Sequence, residues 1–337
     1  MNAKPVRVAS IGIGWWSDVL ADAVQRSGAL EIVSCYTRSE EKRAAFAEKY
    51  RCEPAPSLEA ILEDPAVEGV INTTPNNVHL ETCAAAARAG KHIFVDKPIA
   101  NTLADGRAIA RICREAGVVL AVGYQRRRES HFRWMRDEIT QGNFGRLVQA
   151  EANIARRRMG RFDLTSWRHQ TSEMPGGVML QIGLHYVDVL EYLLGPVKAV
   201  NGTLRHLVLE GENPDVAGLQ MEHDNGALSH LLACYCASDE LYTFNLYGGE
   251  ATAYYNLQEG LRLLPRGKTE LQRIACEEND TLVQELEEFA AAVRGTARPE
   301  VDGESALTSL AVVRAGIKSA QEGRRVFIEE MLQSSDE

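Results

Sequence analysis

The chain has 337 residues, enough for two domains rather than one small core. Its composition, 45% hydrophobic and 25% charged, is that of a globular protein and excludes a disordered or fibrous chain. A formal net charge of −10 excludes a broad nucleic-acid surface but leaves room for a local arginine cluster facing a small anion.

Residues Met1–Pro5 lead straight into Val6-Arg7-Val8-Ala9-Ser10-Ile11, without the long apolar stretch of a signal peptide. No apolar run reaches the length of a bilayer span, so a cytoplasmic protein with no membrane partner is expected. Seven cysteines, scattered and odd in number, do not form a disulfide framework. Cys234 and Cys236 flank Tyr235 on one face of an expected strand. No convincing set of further ligands stands near them, so packed thiols and no metal are expected.

In chain order, the first third alternates strands and helices. Strands are predicted over Val6–Ile11, Leu30–Tyr36, Gly69–Thr73, His92–Asp96 and Val118–Val122. Helices are predicted over Ser17–Ser27, Glu40–Tyr50, Leu58–Glu63, His79–Ala89 and Thr102–Ala116. Such alternation with near-continuous apolar strands implies a parallel sheet covered on both faces. After Gly123 the texture changes: residues 124–175 are rich in arginine and aromatic residues, and a helix follows. Strands are then predicted over Ala199–Leu209, Ala217–His223, Ala227–Tyr235, Thr243–Tyr247 and Ala251–Asn256, in hairpin-like succession. Two helices, Asp280–Arg294 and Gly303–Glu322, close the chain and are candidates to fold back on the first domain. The predicted domains are 1–123 and 124–337.

Gly12-Ile13-Gly14-Trp15-Trp16-Ser17 follows the first strand as G-x-G-x-x-S, where the helix N-terminus suits a pyrophosphate. Trp15 and Trp16 either pack over the turn or cover the cofactor. The second strand ends in Thr37-Arg38-Ser39, with no acidic residue until Glu40. A carboxylate there would favour NAD, whereas Arg38 with the Thr37 and Ser39 hydroxyls suits a 2′-phosphate. NADP(H) is therefore expected over NAD(H), with Lys42 or Arg43 as possible helpers. Lys97 stands at the C-terminal end of a buried strand, the edge where open α/β sheets bind ligands, and can exchange a proton with a substrate hydroxyl. Gln181 and His185, four apart, share a helical face, and Asp188 could orient the histidine.

GIGWWS, Thr73–His79 (TTPNNVH), Val95–Pro98 (VDKP), the segment Thr165–Arg168 (TSWR) and the G-G-(x)5-G-x-H-x-x-D run from Gly176 together resemble the glucose–fructose oxidoreductase/inositol dehydrogenase (Gfo/Idh/MocA) family. The closing Gly303–Val326 region is similar too. The resemblance implies an α/β fold, with a Rossmann domain followed by an α/β domain whose large, mostly antiparallel sheet often mediates homodimers or homotetramers. It implies hydride transfer between NAD(P) and a carbinol or ketone of a sugar, glycoside or cyclic polyol. Lys97 matches the proton donor or acceptor and His185 the histidine that holds substrate hydroxyls. Thr74, Pro75, Asn76 and His79 match the loop beneath the nicotinamide, and Trp167 and Arg168 a segment near cofactor or substrate. Gln125, Arg156, Arg168 and Gln181 are the further substrate contacts expected.

Two positions depart from the family pattern. Asp96 replaces the usual Glu before Lys97, and Gln181 stands where many polyol dehydrogenases have Asp. An amide orients but adds no basicity, so Lys97 must carry the proton with His185 assisting. The arginines Arg126–Arg128, Arg156–Arg158, Arg161 and Arg168 either form surface ion pairs or meet an acidic substrate. A neutral sugar or glycoside is the first expectation, and a carboxylated cyclic diol from aromatic catabolism the second. A redox-neutral glycosidase with tightly held cofactor and a non-catalytic NADP(H) sensor remain as other classes.

Overall fold

The apolar strands of the first third assemble into a six-stranded parallel sheet in a computed structural model that describes residues 4–158 and 166–334. The strands are β1 (Val6–Ile11), β2 (Leu30–Tyr36), β3 (Glu53–Pro54), β4 (Gly69–Asn72), β5 (His92–Asp96) and β6 (Leu120–Gly123), in spatial order β3-β2-β1-β4-β5-β6. Helices α1 (Trp15–Ser27), α2 (Glu40–Tyr50), α3 (Leu58–Glu63), α4 (His79–Arg88) and α5 (Leu103–Ala116) connect them. The order reverses between β1 and β4, which opens a crevice at their carboxyl ends. Side-chain caps start the helices: Ser39 accepts from the Lys42 amide, Ser57 from Ala60 and Thr102 from Asp105. Helix α1 begins two residues before the predicted Ser17. Gly14 takes the cap position, and the Ser17 hydroxyl turns back to accept from the Gly14 amide and donate to its carbonyl.

The second sheet has nine strands: β7 (Leu147–Arg157), β8 (Val197–Arg205), β9 (Val216–His223), β10 (Leu228–Cys234), β11 (Cys236–Gly248), β12 (Ala251–Asn256), β13 (Gly260–Pro265), β14 (Gln272–Ile274) and β15 (Val326–Phe327). Their order is β14-β13-β12-β11-β7-β10-β9-β8-β15, antiparallel throughout except for the parallel pair β7–β10. Alternate residues Ala150, Ala152 and Ile154 of β7 and Tyr242, Phe244 and Leu246 of β11 are buried, so one sheet face forms the core. Helices α6 (Ser130–Thr140) and α7 (Leu184–Leu194) supply residues to that core, where Phe132 meets Phe244 and Tyr186 edge-on. Helices α8 (Thr281–Val293), α9 (Gly303–Glu322) and α10 (Ile328–Gln333) complete the chain.

The chain divides into two compact units, Met1–Gln125 with Asp280–Leu307, and Arg126–Asn279 with Thr308–Glu337. This differs from a single break at Gly123. Leu286, Phe289 and Ala290 of α8 belong to the same apolar core as Val6, Leu20 and Phe94, and that burial draws 280–307 into the first unit. No helix among the described residues is long and apolar enough to cross a membrane.

Candidate active site

In the first unit five loops that leave the carboxyl edge of the parallel sheet carry the candidate residues. Gly12 follows β1 with φ 84°, and a Cβ there would lie 2.4 Å from the Thr74 nitrogen, so glycine is required both by conformation and by space. Thr73 closes the same contact, its hydroxyl donating to the Gly12 carbonyl at 2.8 Å. Gly14 is the opposite case: a Cβ would meet nothing within 4 Å, so its backbone borders open space at the start of α1. The first amides of a helix lack partners within it, so this is a cradle for a pyrophosphate. Trp15 is 64% exposed beside it. Trp16 packs against the core beside Ile13, and its buried indole N–H has no hydrogen-bond partner among the described residues.

At the end of β2, Arg38 is exposed, and its side chain makes no hydrogen bond or ion pair among the described residues. Ser39 serves as the α2 cap, and its hydroxyl proton remains for a further acceptor. Arg43 is committed locally, donating to the Thr37 carbonyl at 3.0 Å and lying over the Tyr36 ring. These groups stand where a Rossmann fold holds the ribose of its dinucleotide.

After β4, buried Asn72 accepts from the Thr74 amide and hydroxyl and donates to Thr82 at 2.7 Å, which fixes the loop carrying Pro75. Buried Asn76 donates to Asn101 at 3.1 Å. His79 is wholly buried. Its Nε2 lies 2.9 Å from the Thr74 carbonyl, and its Nδ1 lies 3.0 Å from that of Pro98 and 3.3 Å from that of Ile99. It therefore ties the Thr74 loop to the loop that carries Lys97. Burial lowers its pKa, against the pull of these carbonyls and of Asp96. Lys97 is half-buried and precedes a cis peptide bond to Pro98. After β6, Gln125 has a buried amide oxygen with no hydrogen-bond partner among the described residues.

In the second unit, Met179–Gly183 forms a π-helical turn that runs into α7. Such turns are frequent at functional sites. Gly177 just before it has φ 49°, and a Cβ there would lie 2.6 Å from the Pro214 carbonyl. Gln181 sits in the π turn, where its carbonyl oxygen accepts from the Tyr235 hydroxyl. His185 follows in α7, buried. The Asp188 carboxylate is held by both sides of the Arg127 guanidinium, with Nε to Oδ2 at 2.9 Å, a buried ion pair. Arg126 pairs with Glu129, and both line a cavity of about 180 Å³ with Tyr186, Tyr242, Tyr255 and Leu257. Arg156 lies over the Tyr242 ring and Arg168 over Trp167.

Sequence reasoning singled out Gln181 but missed Tyr235, because a single tyrosine between two cysteines carries no spacing signal. Tyr235 occupies the step from β10 to β11, so the continuous strand expected through it is broken there. The tyrosines of the cavity were missed for the same reason. Arg161 and Thr165 lie outside the described residues.

A parallel sheet in this order, a glycine cradle at the first helix and a lysine at the adjacent edge define a dinucleotide-dependent oxidoreductase. Residues 6–124 match the oxidoreductase family with NAD-binding Rossmann fold, and residues 132–254 match the GFO/IDH/MocA C-terminal domain. The chain belongs to the Gfo/Idh/MocA oxidoreductase family and is an NAD(P)-dependent oxidoreductase. It is 30% identical to 1,5-anhydro-D-fructose reductase of Ensifer adhaerens over 325 residues, 91% of this chain and 93% of that one. It is 25% identical to myo-inositol 2-dehydrogenase of Thermotoga maritima over 344 residues, 97% of this chain and 100% of that one. Among solved structures, one described as a candidate NADPH-dependent oxidoreductase of Desulfitobacterium hafniense superposes with a TM-score of 0.93 at 34% identity, covering 98% of this chain and 100% of that one.

Proposed function

We propose that the enzyme interconverts a secondary alcohol and a ketone on a sugar, glycoside or cyclic polyol, using NADP(H) in preference to NAD(H). The observation that carries this reading is Lys97 at the carboxyl end of β5, in a loop tied through His79 to the loop after β4. The sugar and inositol chemistry named for the relatives supports the substrate class. The exposed Arg38, with no carboxylate at the end of β2, supports the 2′-phosphate. The nicotinamide, when bound, accepts or supplies a hydride.

The chain's own residues do the rest. The Lys97 amine takes the hydroxyl proton as the alcohol becomes a ketone, and returns it in the reverse direction. His185 holds a neighbouring hydroxyl. Gln181, fixed by Tyr235, orients without adding basicity. The net change is alcohol plus NADP⁺ to ketone, NADPH and one proton.

The test is an absorbance screen at 340 nm with each dinucleotide separately, against sugars, glycosides, polyols and sugar acids. Lys97→Met should bind cofactor, read by tryptophan fluorescence, and lose about 10²–10⁴ in turnover. Turnover kept within about tenfold of wild type, under roughly 1.4 kcal/mol of barrier, would remove Lys97 from the proton step.

A further inference from the structure

Three arginines gather in the second unit around one buried tyrosine. β7 ends at Arg157, whose register partner is Cys236, and the Arg158 amide donates to the Tyr235 carbonyl at 3.0 Å. The end of β7 therefore runs beside Tyr235, whose hydroxyl donates to Gln181. Arg156 lies over Tyr242, 5.9 Å from the ring centroid, and its buried Nε has no hydrogen-bond partner among the described residues. A Glu240 carboxylate oxygen lies 3.6 Å from it. Arg158 is half-buried, and its side chain makes no hydrogen bond or ion pair among the described residues. Arg168 borders the same cleft as Tyr235. The charges of all three arginines act on the Tyr235 hydroxyl, against the burial that raises its pKa.

This arrangement differs from the other arginines nearby. Arg127 is matched by Asp188 and Arg126 by Glu129, so their charges are spent inside the fold. Beside Tyr235, Arg156 meets the Glu240 carboxylate at 3.6 Å and Arg158 meets none among the described residues, in a chain whose formal net charge is −10. Keeping cations half-buried and under-compensated costs stability unless a ligand supplies the missing charge. Guanidinium forks match carboxylate and phosphate groups in particular.

We propose that Arg156 and Arg158, beside Tyr235 and Gln181, form an anion subsite, and that the substrate carries a carboxylate or phosphate which this subsite holds. The sugar or polyol nature of the remaining substrate rests on the proposed function; the acidic group does not. The competing source of the same chemistry is a phosphate of the cofactor.

Binding to the full-length, NADP⁺-loaded protein tests this, with calorimetry as the readout. The probes are D-glucose, D-glucuronate and D-glucose 6-phosphate, matched except for the acidic group. At least one charged probe is expected to bind at least tenfold tighter than glucose. That advantage should vanish in Arg158→Gln and Arg156→Gln, and survive largely in Arg158→Lys, with cofactor affinity unchanged. Three outcomes overturn the proposal: no charged probe binding tighter than glucose, an advantage that persists in both glutamine variants, or a loss confined to cofactor affinity, which assigns the arginines to the cofactor phosphates. Because binding is measured, failure of hydride transfer in the 340 nm screen counts against the dehydrogenase reading alone.

Discussion

Both ring nitrogens of His79 face backbone carbonyls, from Thr74 on one side and from Pro98 and Ile99 on the other. A neutral imidazole donates through one nitrogen only, so one of these contacts lacks a proton whenever the ring is uncharged. Burial nonetheless holds the ring toward its neutral form. Its position in the TTPNNVH run marked His79 as part of a cofactor loop. Its ring nitrogens meet the backbone of that loop and of the one that carries Lys97. His79→Leu strands buried carbonyls and is expected to cost about 1–3 kcal/mol. Turnover should fall as the Lys97 loop loosens. His79→Gln, which keeps a donor, should recover part of both, as read by denaturant midpoint and kcat. Equal losses in the two variants would show that ring volume matters rather than hydrogen bonding.

At the scale of elements, the connection after β6 is bonded to α7 through one buried ion pair, Arg127 to Asp188. Asp188 is fully buried and Arg127 nearly so, hence removing one partner takes from a buried charge the counter-ion that it holds with both sides of the guanidinium. Asp188→Asn is expected to lower unfolding free energy by about 3–5 kcal/mol, whereas Arg127→Met with Asp188→Leu should recover most of it. Chemical denaturation of the single and double variants measures both. Asp188 was legible in the sequence only as a partner for His185, because helical spacing shows i+3 neighbours and nothing from another segment. The β1–β2 and β4–β5 stretches were readable for the converse reason: strands buried on both faces are continuous apolar runs, with capping residues between them. β3, β14 and β15, two or three residues each, carry too few positions for a period. The π turn at Met179–Gly183 has no sequence period of its own either, although the glycines around it were conspicuous.

For the whole molecule, pH reports how buried groups in both units are balanced. Burial lowers the pKa of His79, His92 and His223, all against the ordinary value near 6.5. A histidine with a lowered folded pKa binds its proton more readily when unfolded, so each removes stability as pH falls below about 6.5. Glu191 works the other way. Burial and the neighbouring Asp188 charge push its carboxyl up to about 7, against the Ser309 hydrogen bond. It is protonated in the folded chain and ionised in the unfolded one between about 4.5 and 7, so it adds stability as pH falls through 7. Among these four groups, three histidines against one carboxyl leave an excess of at most about two protons bound by the unfolded state. Their share of the stability lost is no more than roughly 2.7 kcal/mol per pH unit of acidification below 6.5. The melting temperature should therefore fall from pH 6.5 to 5.5. Glu191→Gln removes the opposing carboxyl, so its melting temperature should fall more steeply over the same interval and lie closer to or above wild type at pH 8. A flat wild-type profile would mean that the histidine shifts are too small to matter. Identical slopes in the two proteins would mean that Glu191 is already ionised in the folded chain.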